Sequence, residues 1–260
     1  MPALQRVVVT GSAGRVGRAV VKELHGRGHH VIGYDLRPTP GLPAEQSVIA
    51  SGGGSLVEAA RGASCLIHLA ATPDDANYPR GQPPDDADNF LSELVPNNIV
   101  ATYKAMEAAR TLGIPRVVLT STGQVIDGHL KAGNYPVTPE SPPRPRYLYA
   151  CTKVFLEALG QVYAKEHGMQ VLAVRLGWCP RDKGQVNEIA GGELFQDVFI
   201  SPGDVGRFYA AAVEAPTLPT YAIVYATSRF THKLRYDLSE SQRLLNWSPR
   251  EQWPAGASEF

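Results

Sequence analysis

Residues 6–17 read RVVVTGSAGRVG, an apolar run followed by three regularly spaced glycines and the start of a helical pattern. The glycines suit three tasks: a tight turn after a strand, close approach of backbone N–H groups to a pyrophosphate, and close packing of helix on strand. The N-terminus of the following helix adds partial positive charge. This pattern predicts a dinucleotide-binding loop made of Gly11, Ser12, Ala13, Gly14, Arg15, Val16 and Gly17.

An acidic residue, Asp35, follows the second apolar run, where the dinucleotide fingerprint requires one. Its carboxylate is suited to accept hydrogen bonds from both hydroxyls of an adenosine ribose, and it repels a 2′-phosphate. Together with the adjacent Leu36 and Arg37, it favours NAD as the cofactor over NADP. NADP stays open as an alternative, because the guanidinium of Arg15 or Arg37 is long enough to reach a 2′-phosphate.

Short β-branched runs alternate with longer stretches of helical period, which is typical of βαβ units around a parallel sheet. The runs predict strands at 6–10, 30–35, 47–51, 65–70, 116–121, 171–176 and 222–226. The longer stretches predict helices at 15–26, 55–60, 89–112 and 149–167. The sequence therefore predicts an α/β fold, a single Rossmann-type domain with one doubly wound parallel sheet, over residues 1–260.

Two segments break this alternation, residues 72–88, which are rich in Pro, Asp and Gly, and residues 128–146, which are rich in Pro. We predict that both are loops at the carboxyl edge of the sheet, where each either walls a ligand pocket or is an exposed connection. A small C-terminal substrate-binding appendage is expected in residues 177–204 and 227–260.

Charge and composition exclude several classes of partner. The 260 residues include 25 basic and 25 acidic side chains with no block of like charge, which argues for a small-molecule partner and against nucleic acid or a membrane surface. Three scattered cysteines do not form a disulfide framework or a zinc cluster, and they suit a reducing compartment. Without an apolar run of ~20 residues or room for a signal peptide, we expect a soluble, cytoplasmic chain.

A tyrosine and a lysine stand four residues apart, Tyr149 and Lys153, at the head of a predicted helix. Residues at this spacing share one face of a helix, so both side chains can serve one site. The predicted strand 116–121 leads into Thr120-Ser121-Thr122, which brings hydroxyl groups to the ligand edge of the sheet. A chance Tyr-Lys pair on a helix surface is the alternative, and the glycine loop upstream argues against it.

Taken in order, these motifs resemble the extended short-chain dehydrogenase/reductase family of the NAD-dependent epimerase/dehydratase type, over nearly the whole chain. Matching features are the glycine loop, His68-Leu69-Ala70-Ala71, Asn98, Thr122, Tyr149-x-x-x-Lys153, residues 175–180 and Leu245-Asn246-Trp247-Ser248-Pro249. The resemblance implies further cofactor contacts at Ser51, Leu69, Ala70, Ala71, Asn98, Thr120, Tyr149, Lys153 and Leu176. Ser51 stands where the family usually has an adenine-binding aspartate.

The resemblance also implies hydride transfer to NAD without a metal. An unperturbed tyrosine has a pKa near ~10, and Lys153 together with the positive nicotinamide favours its phenolate. Tyr149 then takes the proton of a substrate hydroxyl, Thr122 hydrogen-bonds the same oxygen, and Lys153 also holds the cofactor ribose. Substrate contacts are expected at Thr72, Thr122, Gly123, Tyr149 and Arg181.

The chain is too short to hold the domain with which nucleotide-sugar enzymes of this family bind their substrates, so a small sugar or sugar acid is expected. The chain is most similar to uronate dehydrogenases, which oxidise the C1 hydroxyl of a hexuronate with NAD. It departs from them in having Gly123-Gln124 where they have Asn-His, and in having no arginine within 184–200 for a substrate carboxylate.

Two other functions stay open, a nucleotide-sugar epimerase-like enzyme and a non-catalytic NAD(P)-binding or redox-sensing protein. An intact set of Thr122, Tyr149 and Lys153 favours an enzyme over the second. Members of the family often dimerise through two long helices, here 89–112 and 149–167, and the resemblance therefore predicts a homodimer.

Overall fold

A computed structural model describes residues 3–73 and 89–259. They contain a parallel sheet with the strand order β3-β2-β1-β4-β5-β6-β7. The strands are β1 Arg6–Thr10, β2 His30–Asp35, β3 Ser47–Ile49, β4 Cys65–His68, β5 Arg116–Thr122, β6 Gln170–Leu176 and β7 Tyr221–Ala226. The predicted seven-stranded Rossmann-type fold is confirmed.

Both faces of the sheet are covered, as a parallel sheet requires. Side chains along β1 alternate between two apolar cores: Val7 and Val9 pack on the side of α1 and α8, and Val8 packs on the side of α3 and α5. These valines are fully buried. Because ligand sites of such sheets lie beyond the carboxyl ends of the strands, a ligand site is expected at that edge.

The helices are α1 Arg15–Gly26, α2 Leu56–Ala60, α3 Ala101–Thr111, α4 Asp127–Lys131, α5 Leu148–His167, α6 Lys183–Ala190, α7 Glu193–Asp197, α8 Pro202–Glu214 and α9 Ser239–Leu245. The predicted helix 89–112 is in fact π-helical over Phe90–Val100 and α-helical only from Ala101. Pro96 lies inside the π-helical part and has no N–H to donate, which suits a wider turn there. None of the helices in the described residues is long and apolar enough to cross a membrane.

Part of the loop predicted at 128–146 is helical, which corrects that prediction. Helix α4 begins one residue before the predicted loop, and it buries Leu130. A five-residue helix is too short for its periodicity to show in the sequence. Of the loop predicted at 72–88, only Thr72 and Pro73 belong to the described residues.

The segments after β6 are packed onto the rest of the sheet. Helix α8 was not predicted, because it is buried almost all round and has no clear polar face. The start of α8 nonetheless has a typical sequence signal, a serine followed by a proline. Ser201 caps the helix by accepting a hydrogen bond from the Asp204 N–H, and Pro202 is the first helical residue. The Asp204 carboxylate then holds the backbone N–H groups of Arg250 and Glu251, which attaches the C-terminal segment.

The glycine loop packs too tightly for larger residues. Gly11 has a φ of +70°, and a Cβ there would lie 2.7 Å from the Ala70 nitrogen. A Cβ on Gly17 would lie 2.1 Å from the Gly11 carbonyl oxygen. These distances are shorter than any real contact, so both positions require glycine.

We expect Gly17→Ala to lower the free energy of unfolding by about 2–3 kcal/mol, because the added methyl group meets rigid backbone. Gly26→Ala, in the same helix, is the matched control: its added Cβ meets nothing within 4 Å. The control should leave stability unchanged or raise it by up to about 1 kcal/mol. Urea unfolding of both variants measures the difference, and equal stabilities would contradict the packing argument.

Candidate active site

A cavity of about 540 Å³ opens at the carboxyl ends of the central strands. Among the residues predicted to bind cofactor or substrate, its wall includes Gly11, Gly14, Arg15, Val16, Gly17, Leu69, Ala71, Thr120, Thr122, Gly123, Tyr149, Lys153, Leu176 and Arg181. The other predicted residues lie outside this wall: Ser12, Ala13, Asp35, Leu36, Arg37, Ser51, Ala70, Thr72 and Asn98. The structure thus brings the predicted catalytic residues and the glycine loop into one cleft.

The loop end of the cleft has the features of an anion site. Gly14 caps α1 without a side-chain hydrogen bond, so the first N–H groups of this helix are not occupied by a cap. They point toward a cleft in which the glycines leave room for a pyrophosphate. The residues present therefore fit a bound dinucleotide.

Asp35 connects this loop with the end of β2. One carboxylate oxygen accepts the Ala13 N–H at 2.9 Å, and the other accepts the N–H of Leu36 at 2.7 Å. The second oxygen also accepts the N–H of Arg37 at 3.3 Å, so the oxygen bound to Ala13 is the one that retains a lone pair for a ribose hydroxyl. Ser51 lies nearby, since its hydroxyl donates to the Leu36 carbonyl at 3.0 Å.

Arg15 is held on the opposite side of the loop. Its Nε donates to the Pro180 carbonyl and its Nη2 donates to the Gly256 carbonyl, both at 3.1 Å. These contacts direct the guanidinium across the cleft to the segment after β6 and to the C-terminus. Arg37, an exposed residue beside Asp35, is then the arginine at the adenosine end.

Asn98 braces the cleft from behind its wall. Its amide nitrogen donates to the Thr72 carbonyl at 3.0 Å and to the Thr152 hydroxyl at 3.1 Å, and its oxygen accepts the Thr72 N–H. The residue is 1% exposed. Asn98 therefore joins the segment after β4 to helix α5.

Thr122, Tyr149 and Lys153 meet because β5 ends where α5 begins. Thr122 is the last residue of β5, and Tyr149 and Lys153 occupy the first two turns of α5. The Lys153 Nζ lies 5.7 Å from the centre of the Tyr149 ring and donates to the Thr120 carbonyl at 3.0 Å. This places an ammonium group beside a phenol at the carboxyl edge of the sheet.

Burial changes the titration of groups around this pair. It lowers the pKa of Lys153 to about 8, because a buried ammonium loses its hydration. Burial, and secondarily the charge of Lys153, lowers the pKa of His68 to about 3, so that this imidazole is neutral near pH ~7. His68 bridges the hydroxyls of Thr10 and Thr102 behind the cleft.

A buried ion pair holds α5 against the sheet. The Arg175 guanidinium contacts both Glu157 oxygens, at 2.9 and 3.0 Å, and the Ser121 hydroxyl donates to the same carboxylate at 2.6 Å. Arg175 is 1% exposed and Glu157 4%. Because β5, β6 and α5 each contribute one member, this cluster fixes the strand that carries Thr122 relative to the helix that carries Tyr149.

Several residues of the cleft wall were not predicted individually from the sequence: Gln124, Asp127, Arg146, Tyr147, Trp178 and Tyr236. Arg146 and Tyr147 could have been suggested by their place just before Tyr149 in the chain. Tyr236 is different: it lies in the predicted appendage 227–260, but no residue pattern singled it out there. Only the folding of the C-terminal segment brings it to Gly123.

Gly123 and Tyr236 are fitted to one another. A Cβ on Gly123 would lie 2.2 Å from the Tyr236 hydroxyl oxygen. The tyrosine therefore occupies the space of a side chain at position 123. This gives a physical reason for the glycine that follows Thr122.

An ion pair is present at the same end of the cleft. The Arg146 guanidinium contacts the Asp127 carboxylate at 3.0 Å, and it also lies over the ring of Tyr147. Asp127 comes five residues after Thr122, and Arg146 comes three residues before Tyr149. The pair is thus carried by the same two segments as the predicted catalytic residues.

Residues 7–178 match the model of the NAD dependent epimerase/dehydratase family. The chain is 33% identical to an L-arabinose 1-dehydrogenase (NAD(P)(+)) of Haloferax volcanii, over 95% of this chain and 97% of that protein. Its structure resembles the glucuronic acid dehydrogenase from Chromohalobacter salexigens, with a TM-score of 0.71 and 27% identity over 97% of this chain and 86% of the other. It also resembles a variant of the Agrobacterium tumefaciens uronate dehydrogenase complexed with NAD, with a TM-score of 0.70 and 25% identity over 96% and 86% of the two chains.

We expect Lys153→Met to unfold at the same or a higher temperature than the wild type at about pH 7, because methionine removes a buried charge. The unfolded lysine has a pKa near 10.5 and the folded one near 8, so the unfolded chain binds more protons between these values. Wild-type stability should therefore rise over this range of pH, and the advantage of the variant should shrink by about pH 10.

Thermal unfolding at the two pH values measures this effect, with Lys104→Met as the control. Lys104 is exposed on α3, and its substitution should give no pH-dependent difference. A Lys153→Met protein that unfolds well below the wild type at about pH 7 would contradict the assigned cost of burial.

Proposed function

This chain belongs to the NAD-dependent epimerase/dehydratase family, and from that membership and the geometry of its cleft we propose that it is an NAD-dependent dehydrogenase of a free sugar. One observation carries the proposal. Thr122, Tyr149 and Lys153 share a cavity wall with the glycine loop, and the buried Lys153 ammonium lies beside the Tyr149 phenol. The L-arabinose, glucuronic acid and uronate dehydrogenases similar to this chain support a sugar or sugar acid as the substrate class.

Each catalytic residue has a distinct task in the proposed reaction. Tyr149 accepts the proton of the substrate hydroxyl at its phenolic oxygen, and Lys153 favours the phenolate that does so. Thr122 donates a hydrogen bond to the same substrate oxygen. The Thr120 carbonyl keeps the Lys153 ammonium in place at 3.0 Å. NAD, when bound, supplies the acceptor for the hydride.

Asp35 supports NAD rather than NADP. Its carboxylate stands at the end of β2, with one oxygen bound to the Ala13 N–H of the glycine loop, and a 2′-phosphate there would meet like charge. Arg15 is engaged by carbonyls on the other side of the cleft, which leaves Arg37 as the local counter-charge. A preference for NAD with residual use of NADP is therefore proposed.

The pair of Asp127 and Arg146 supports a neutral aldose over a hexuronate. A substrate carboxylate needs a guanidinium that is not already neutralised, and Arg146 is bound to Asp127 at 3.0 Å. The sequence offers no arginine in residues 184–200 either. We therefore place neutral aldoses first among the substrates, and sugar acids second because Arg181 also lines the cleft.

We expect Tyr149→Phe to bind NAD normally but to reduce NAD at least ~100-fold more slowly with any sugar that the wild type oxidises, because the proton acceptor is lost. NADH absorbance with a panel of aldoses and hexuronates measures the rate, and calorimetry measures NAD binding. Tyr163→Phe is the matched control, since Tyr163 lies on the same helix and its hydroxyl donates to Glu107 outside the cleft.

The control should retain wild-type rates. Full activity in Tyr149→Phe would overturn the assigned mechanism. A wild type that binds NAD but oxidises no member of the panel would favour a binding protein instead.

We further propose a homodimer formed by the two long helices. Helix α5 presents Cys151, Ala158 and Val162 to the solvent at helical spacing, and Val100 and Tyr103 are exposed on the neighbouring helix. Together they make an apolar patch of the kind that marks protein contacts. No disulfide joins Cys65, Cys151 and Cys179, which supports a cytoplasmic location.

Light scattering should give the mass of two chains for the wild type and of one chain for Val162→Lys, since a buried lysine would destabilise the contact. Phe230→Lys is the control, because Phe230 is similarly exposed but lies outside both helices. A wild type with the mass of one chain would refute the dimer.

A further inference from the structure

Tyr236 is a largely buried tyrosine in the wall of the cleft. The residue is 4% exposed, and its hydroxyl lies beside Gly123, the residue that follows Thr122. A hydroxyl in the wall of a cleft can form a hydrogen bond with a bound ligand.

A second polar group lies on this wall, and it has no partner among the described residues. The side-chain oxygen of Gln124 is buried and has no hydrogen-bond partner within the described parts of the chain. Gln124 and Tyr236 both line the cleft, on either side of Gly123. An oxygen that only accepts, next to a hydroxyl that both donates and accepts, matches a ligand that presents several hydroxyl groups.

The segment that carries Tyr236 is held rigidly. The buried Asp197 carboxylate accepts the backbone N–H groups of residues 231–233 and the Nε of Arg235. Tyr236 also stacks on Tyr225, with ring centres 4.7 Å apart and planes inclined by 16°. A hydroxyl fixed in this way before binding loses little entropy when it engages a ligand.

We infer that Tyr236 is a substrate-binding residue whose hydroxyl recognises a ring hydroxyl of the sugar, together with the Gln124 oxygen. This inference rests on the proposed function and adds a residue that determines specificity. Tyr236 takes over the place left by the missing side chain at position 123. Burial raises the pKa of Tyr236 further above its ordinary value, so the group acts as a neutral hydrogen-bond partner and not as a base.

The test compares the wild type with Tyr236→Phe, using the best aldose of the panel and its monodeoxy analogues. We expect the variant to raise KM about 3- to 10-fold, the worth of one neutral hydrogen bond, with kcat within about twofold and NAD affinity unchanged. With the wild type, one monodeoxy analogue should have a KM raised by a similar factor. Tyr236→Phe should have the same KM for that analogue and for the parent sugar, because one hydrogen bond is lost as soon as either of its two partners is removed.

Tyr221→Phe is the matched control. This substitution also removes a tyrosine hydroxyl. That hydroxyl lies outside the cleft and donates to the Glu157 carbonyl at 3.0 Å, so KM should be unchanged. An unchanged KM in Tyr236→Phe, or an equal loss with the parent and every analogue, overturns the inference while the proposed function stands. Weaker NAD binding together with a lower unfolding temperature in Tyr236→Phe shows a structural role and overturns it as well. A wild type that oxidises no sugar overturns the proposed function and the inference together.

Discussion

The buried ion pair between Glu157 and Arg175 is the constraint on which the rest of the site depends. Burying two charges is costly, and it is tolerated only when both are fully hydrogen-bonded. Here the pairing is bidentate, and the Ser121 hydroxyl and the Tyr225 hydroxyl complete it. The cluster fixes helix α5 against β5 and β6, and it thereby sets the distance between a strand that ends in a hydroxyl and a helix that begins with a phenol.

A second set of buried carboxylates attaches the C-terminal third of the chain. Asp204 binds backbone N–H groups of residues 250 and 251, and Asp197 binds those of residues 231–233. In both cases a carboxylate from one segment satisfies the backbone of a distant loop, which a buried backbone requires. These contacts close the cleft on the side opposite the glycine loop, and they bring Tyr236 and the proposed sugar contacts to Thr122.

The centre of the cleft contains buried polar groups that lower the stability of the folded protein. The Lys153 ammonium is buried with the Thr120 carbonyl as a direct partner, and its lowered pKa records the cost of that position. The Gln124 oxygen is buried and has no partner in the described residues. Groups of this kind are usual where a protein is arranged for a ligand and not for its own stability.

The sequence by itself determined the Rossmann-type sheet, the glycine loop, Asp35 and the trio of Thr122, Tyr149 and Lys153, because each depends on local spacing or on the alternation of strands and helices. It did not predict α8, whose burial on nearly all sides removes the polar face that marks a surface helix. Only the tertiary structure decided the substrate end of the cleft. Asp127 pairs with Arg146, which lies 19 residues later in the chain, and Tyr236 lies beside Gly123, which is more than a hundred residues earlier. Contacts over such separations are set by packing, and no local pattern of residues encodes them.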